Sequence, residues 1–152
     1  MYEVFMSSKS LVAKVKRLAE KAVMPSKAHP SDSGWDLTLI GVDKIKGDTI
    51  FFKTGIQVRP PSGHYFEIYP RSSIAPLPFM LANCVGIIDE NYTGEVLVAI
   101  RVLHGEMGNS NERDTYPSGI VTALDARPAS MSEVANLILA KKPKIAQMIL
   151  RK

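Results

Sequence analysis

Apolar side chains recur at every second position through much of this chain, the period of a strand with one face buried. Leu11, Ala13 and Val15 alternate with Val12, Lys14 and Lys16, and Val96, Val98, Ile100 and Val102 form a longer apolar face. Residues 49–58 are rich in β-branched and aromatic side chains and stop at Pro60-Pro61, while 64–69, 79–82 and 144–150 read as further strands. Pro, Gly, Ser and Asp punctuate these segments, so an all-β domain is predicted. Only 130–142 carries a helix signal, because Ser130 and Glu133 stand at capping-box spacing ahead of an apolar run. Leu137, Ile138 and Leu139 fit a strand equally well.

Composition narrows the class without naming a chemistry. A length of 152 residues suits one domain, 1–152, and 45% hydrophobic with 22% charged residues is ordinary globular usage. Cys84 is the one cysteine, so no intrachain disulfide forms and a reducing, intracellular compartment is expected, cytoplasmic or nuclear. No apolar run approaches membrane length, and the first ten residues lack a signal-peptide core. His29, His64 and His104 stand too far apart to suggest structural zinc. The net charge of +4 is spread among acids, so direct nucleic-acid binding is not expected. One basic concentration, Lys141, Lys142, Lys144, Arg151 and Lys152, suits a phosphorylated ligand.

Three short segments carry candidate chemistry. Residues 86–95 set Asp89 and Tyr92 three apart between Gly86 and Gly94, with Ile87 and Ile88 favouring an extended arm. This reads as a hairpin with Asp89 at its tip, the glycines allowing positive φ or close backbone approach. Pro70-Arg71-Ser72-Ser73 places a guanidinium, two hydroxyls and turn N–H groups together, the donors that phosphate oxygens require. Gln147 projects an amide from an apolar strand near the other end. Each has a plainer explanation, respectively a tight turn, a common loop tripeptide and a surface glutamine on an edge strand.

Taken with Asp32-Ser33-Gly34-Trp35-Asp36-Leu37, these pieces resemble the dUTP diphosphatase (dUTPase) family in kind and order. The family's first motif is matched at 33–37, its second at 70–73, its third at 83–95 and its fourth at 144–149. The resemblance implies a distorted jelly-roll barrel, assembled as a homotrimer with active sites between subunits, that hydrolyses dUTP to dUMP and diphosphate. That reaction keeps uracil out of DNA and supplies the precursor of thymidylate. In this resemblance Asp89 activates water, Gln147 holds that water or an α-phosphate oxygen, and Arg71, Ser72 and Ser73 donate to the phosphates. Asp36 orients the phosphate side from the first-motif turn. Uracil pairs with the hairpin backbone about Gly86 and Ile88, supported by Asn83, and Tyr92 beneath the sugar excludes a 2′-hydroxyl. Mg²⁺ is expected, held through substrate phosphates and waters with no direct protein ligand.

The deaminase branch of the same fold keeps a glutamate on the strand after the hairpin, where this chain has Ala99, which argues against deamination. The fourth motif's usual Gly-Asp-basic opening is Lys142-Pro143-Lys144 here. No glycine-rich fifth motif follows Gln147, so a nucleotide-binding or regulatory protein with weak catalysis is the alternative expectation. A segment of about 106–135 stands between the third and fourth motifs. It is expected to be a surface excursion containing a short helix, or a partner-binding surface. Arg113, Tyr116 and Ser118 supply the residue types of a surrogate lid.

Overall fold

The computed structural model describes residues 2–8, 11–103, 130–141 and 143–152, which form three antiparallel sheets and one helix. The strands are β1 (Tyr2–Ser8), β2 (Leu11–Arg17), β3 (Trp35–Leu37), β4 (Gly41–Lys46), β5 (Thr49–Lys53), β6 (Ile56–Arg59) and β7 (Tyr65–Pro70). They continue as β8 (Phe79–Leu81), β9 (Gly86–Ile88), β10 (Leu97–Val102) and β11 (Ala146–Arg151), with helix α1 (Met131–Lys141) before the last. Sheet orders are β1-β2-β6, β4-β5-β10-β8 and β3-β11-β7-β9. The result is a jelly-roll-like all-β architecture; the strand periodicity predicts the all-β class and the family resemblance implies the jelly roll.

Burial follows the alternation closely. Val96, Val98, Ile100 and Val102 are each at most 1% exposed, as are Ala13 and Val15, so the apolar faces read from sequence are the core faces. Each such buried branched side chain contributes about 2 kcal/mol. Phe5, Trp35 and Phe66 bring β1, β3 and β7 together, with ring centroids 5.7 to 6.1 Å apart. Helix α1 settles the choice left open at 137–139. Val134, Ala135, Leu137 and Ile138 are buried at helical spacing, and Glu133 N–H donates to Ser130 Oγ at 3.2 Å. Residues 104–129, with Arg113, Tyr116 and Ser118, lie outside the described residues.

Two sequence expectations are corrected. Residues 49–58 are two strands, because the chain turns at Thr54-Gly55, where Gly55 has φ +71. That φ strains any L side chain, and a Cβ there would also crowd Ile40 Cδ1 at 2.5 Å and Ala22 Cβ at 3.0 Å, so glycine is favoured. The two arms about Asp89 do not form a hairpin with each other. β9 pairs with β7, whereas both edges of β10 are taken, by β5 and β8. A strand has only two edges, so 89–96 is a crossing between sheets. The sequence pattern misses β1, β3 and β4. β3 has three residues, while β1 and β4 are edge strands, each with a register shift and little burial contrast.

Candidate functional site

The sheet β3-β11-β7-β9 organises the candidate chemistry. Register places Asp36 opposite Gln147 and Gln147 opposite Tyr69, so the three side chains share the sheet's outer face. The backbone of Asp36 is held on its other edge by Ser26, whose carbonyl accepts from Asp36 N–H at 2.6 Å. Asp36 therefore stands on a strand and not in the expected turn. Its carboxylate meets Arg71 Nε at 3.1 Å, and Arg71 Nη1 donates to the Lys144 carbonyl at 2.9 Å. Those contacts fix the guanidinium beside a cavity of about 360 Å³. Asp32, Ser33, Gly34, Asp36, Arg71, Ser72 and Gln147 line it, so the first, second and fourth segments meet in space. Ser73 is exposed on the adjoining 3₁₀ turn Ser72–Ile74 but is not part of the lining.

Gln147 is not on an edge, because β11 lies between β3 and β7. Its Nε2 donates to the Pro70 carbonyl at 3.1 Å, and its Oε1 lies over Gly34, where a Cβ would come within 2.5 Å. The first-segment glycine is thus a close-approach position that leaves room for the Gln147 amide. Asp32 and Ser33 also line this cavity, and Asp32 accepts the His29 N–H at 3.0 Å. Their position just before Gly34 was the available signal, but their residue types alone did not separate a lining role from a turn. Tyr69, beside Gln147 in the register, has its hydroxyl pKa raised above 10.0 by burial and then by neighbouring Glu67.

A second cavity, about 200 Å³, opens at the third segment. Asn83, Gly86, Ile87, Tyr92, Glu95 and Ala99 are among its lining residues, together with the buried side of Ile88. Gly86 is buried without positive φ, and a Cβ there would meet Ile68 Cβ at 3.2 Å. A Cβ at Gly94 would run into the Tyr92 ring. Close approach is therefore what both glycines supply. Ala99 presents only a methyl group where a proton-transferring carboxylate would be needed for deamination.

Asp89 lies beside Tyr92, whose N–H donates to the Asp89 carbonyl at 3.1 Å, but it is exposed and lines neither cavity. Ile88 pairs with Phe66, so Asp89 follows opposite Tyr65, four residues along β7 from the Tyr69 that faces Gln147. β9 and β11 also flank β7 on opposite edges. Strand rise and interstrand spacing put Asp89 and Gln147 about 17 Å apart within one chain. The expected base and the expected phosphate donors are not brought together in one chain. Among the described residues, no three of His, Cys, Asp and Glu are placed to hold a metal ion, and no helix is long and apolar enough to cross a membrane.

A jelly-roll-like protein with a polar cavity on one sheet and a second cleft at the third segment is the class that these features define. A family model described as dUTPase matches residues 20–112, more than half of the chain. A deoxyuridine 5'-triphosphate nucleotidohydrolase of Trichodesmium erythraeum is 39% identical over 95 residues, covering 61% of this chain and 66% of that protein. The Arabidopsis thaliana protein of the same name is 35% identical over 96 residues, 62% of this chain and 57% of that one. This chain thus spans less than two thirds of the length of these relatives. A Staphylococcus bacteriophage 80alpha dUTPase structure with dUpNHpp superposes at TM-score 0.60 over 91% of this chain and 81% of that one, at 19% identity. The phage phi11 dUTPase, described with a species-specific insert, gives 0.58 over 91% and 88%, at 18% identity. The chain belongs to the dUTPase family.

Proposed function

We propose that this protein hydrolyses dUTP to dUMP and diphosphate at sites shared between copies of the chain in a homotrimer. The observation that carries the reading is the convergence of Asp36, Arg71, Ser72 and Gln147 in one cavity, with Asp89 outside it and displaced towards the far end of β7. A catalytic base must stand within hydrogen-bond reach of the water it activates, directly or through one more water. A separation of about 17 Å in one chain far exceeds that reach, so Asp89 of one copy serves the phosphate cavity of another. A relative carrying the name deoxyuridine 5'-triphosphate nucleotidohydrolase supports the substrate.

In this arrangement Arg71 and Ser72 draw the triphosphate into the cavity, and the Asp36 carboxylate holds the guanidinium in place against that pull. Gln147 offers its amide to the attacking water or an α-phosphate oxygen. Asp89 takes the proton of that water as it attacks phosphorus, and diphosphate leaves. The cleft at 83–92 reads the base through backbone N–H and C=O groups, with uracil presenting acceptor, donor and acceptor along one edge. Tyr92 packs beneath the sugar and leaves no space for a 2′-hydroxyl, and Ala99 supplies no proton for deamination.

The donor set suits Mg²⁺ brought by the substrate. Asp36 is engaged by Arg71, so phosphate oxygens and water would hold the ion. When bound, it neutralises charge on the triphosphate. The reaction belongs to an intracellular nucleotide pool. The test is diphosphate release from dUTP beside dCTP, dTTP and UTP, with dUTP binding measured separately. Release confined to dUTP, and lost in Asp89→Asn with binding retained, is the expected result; an Asp89→Asn protein of wild-type activity would refute the assignment.

A further inference from the structure

Glu95 lines the base-and-sugar cleft, yet its carboxylate faces the scaffold. Oε2 accepts the Gly55 N–H at 2.9 Å, Oε1 stands 3.7 Å from Lys53 Nζ, and the side chain is 20% exposed. Gly55 sits in the turn between β5 and β6, where its positive φ and the crowding by Ile40 and Ala22 favour glycine. The carboxylate is therefore tied to a backbone donor whose position is fixed. Val96 extends the tie, because its N–H donates to the Ile56 carbonyl at 2.8 Å and its own carbonyl accepts from Thr54 Oγ1 at 2.6 Å.

The same residue holds Tyr92 through its main chain. Tyr92 Oη donates to the Glu95 carbonyl at 2.9 Å, and the ring lies against Gly94, where a Cβ would collide with it. Tyr92 is 44% exposed, so side-chain burial alone does not fix its ring. Next to Asp89, at the start of the same loop, the Glu90 carboxylate accepts the N–H of Gly63, a second glycine of positive φ, at φ +75. Two glutamates thus moor the crossing loop at both ends, and the inner one carries the tyrosine.

We propose that Glu95 is a positioning residue that sets the Tyr92 ring against the nucleotide sugar and so governs the choice between deoxyribo- and ribonucleotides. The inference rests on the dUTP reading and adds to it the residue that keeps the sugar gate rigid. A steric gate discriminates only as far as it resists displacement, because a ring that yields lets the 2′-hydroxyl in.

The experiment compares kcat/KM for dUTP and UTP in wild type, Glu95→Ala, Glu95→Gln and Tyr92→Phe. Glu95→Ala is expected to lower the dUTP to UTP ratio about tenfold, the scale of one charge-assisted hydrogen bond. Glu95→Gln keeps an acceptor for Gly55 N–H and is expected to recover part of the ratio. Tyr92→Phe removes only the hydroxyl link and is expected to lower the ratio without loss of thermal stability. A merely structural role would reduce both substrates equally. If folded Glu95→Ala keeps the wild-type ratio, the inference is overturned, whatever Tyr92→Phe does. Should Glu95→Ala fail to fold, Glu95→Gln takes its place, and a wild-type ratio in that variant overturns the inference. A wild-type protein inert towards dUTP overturns the functional reading and this inference with it, whereas an active wild type with unchanged variant ratios overturns this inference only.

Discussion

Replacing Gly34 by alanine tests whether the phosphate cavity depends on the close fit of a glycine under an amide. The added Cβ would stand 2.5 Å from Gln147 Oε1, 3.1 Å from Gln147 Cδ and 3.1 Å from the Met148 carbonyl oxygen. Rotation of the amide relieves the first two contacts, but it costs the 3.1 Å bond from Nε2 to the Pro70 carbonyl, about 1 kcal/mol. The third contact is with backbone of the central strand β11, which is held by β3 and β7 and yields only at the cost of its ladder. Overpacking of this kind costs about 1–3 kcal/mol, and the lower chain entropy of unfolded alanine returns about 0.4–1 kcal/mol. The net expectation is about 1–3 kcal/mol of destabilisation, read as a lower urea midpoint at unchanged slope. Turnover of dUTP is expected to fall about tenfold or more as Gln147 is turned away. Adding Gln147→Ala to Gly34→Ala should recover part of the stability but none of the turnover, the non-additivity of touching residues. A Gly34→Ala protein of wild-type stability and turnover would refute this reasoning.

Arg71→Lys should cost less than about 1 kcal/mol of stability, since the pair with Asp36 is partly exposed. It should nevertheless weaken dUTP binding about tenfold, because one ammonium cannot meet Asp36, the Lys144 carbonyl and a phosphate together; calorimetric titration showing unchanged affinity would contradict it. Tyr69 has a raised hydroxyl pKa in the folded state, so the unfolded chain loses this proton first as pH climbs past 10.0. Its contribution is fully present below pH 10.0 and is lost as pH rises through the folded-state value, so Tyr69→Phe should flatten the alkaline fall of the urea midpoint, and an equal slope in both proteins would argue against it.

The strands with strong alternation were legible in the sequence because burial of one face dictates period two, as at Val96, Val98, Ile100 and Val102. Edge strands β1 and β4 were not, since water covers much of both faces and relaxes the pattern. The split at Gly55 and the crossing at 89–96 depend on which strand edges remain free, a tertiary fact absent from local spacing. Within the candidate site, Arg71, Ser72, Asp36 and Gln147 were singled out by the family resemblance of their segments, residue type alone leaving plainer explanations, and the fold brings them to one cavity. Glu95 was passed over because a carboxylate one residue beyond a loop glycine has no pattern of its own. Its role is set by Gly55, forty residues earlier in the chain.

Subunit complementation tests the shared site most directly. Asp89→Asn and Gln147→Ala chains, each nearly inactive alone, would be unfolded, mixed in equal amounts and refolded, and diphosphate release from dUTP measured. Random assembly of sites that draw Asp89 and Gln147 from different chains restores about one site in four, so the mixture should regain about a quarter of wild-type turnover. No recovery at any mixing ratio, from chains shown to form mixed oligomers, would contradict a site shared between copies.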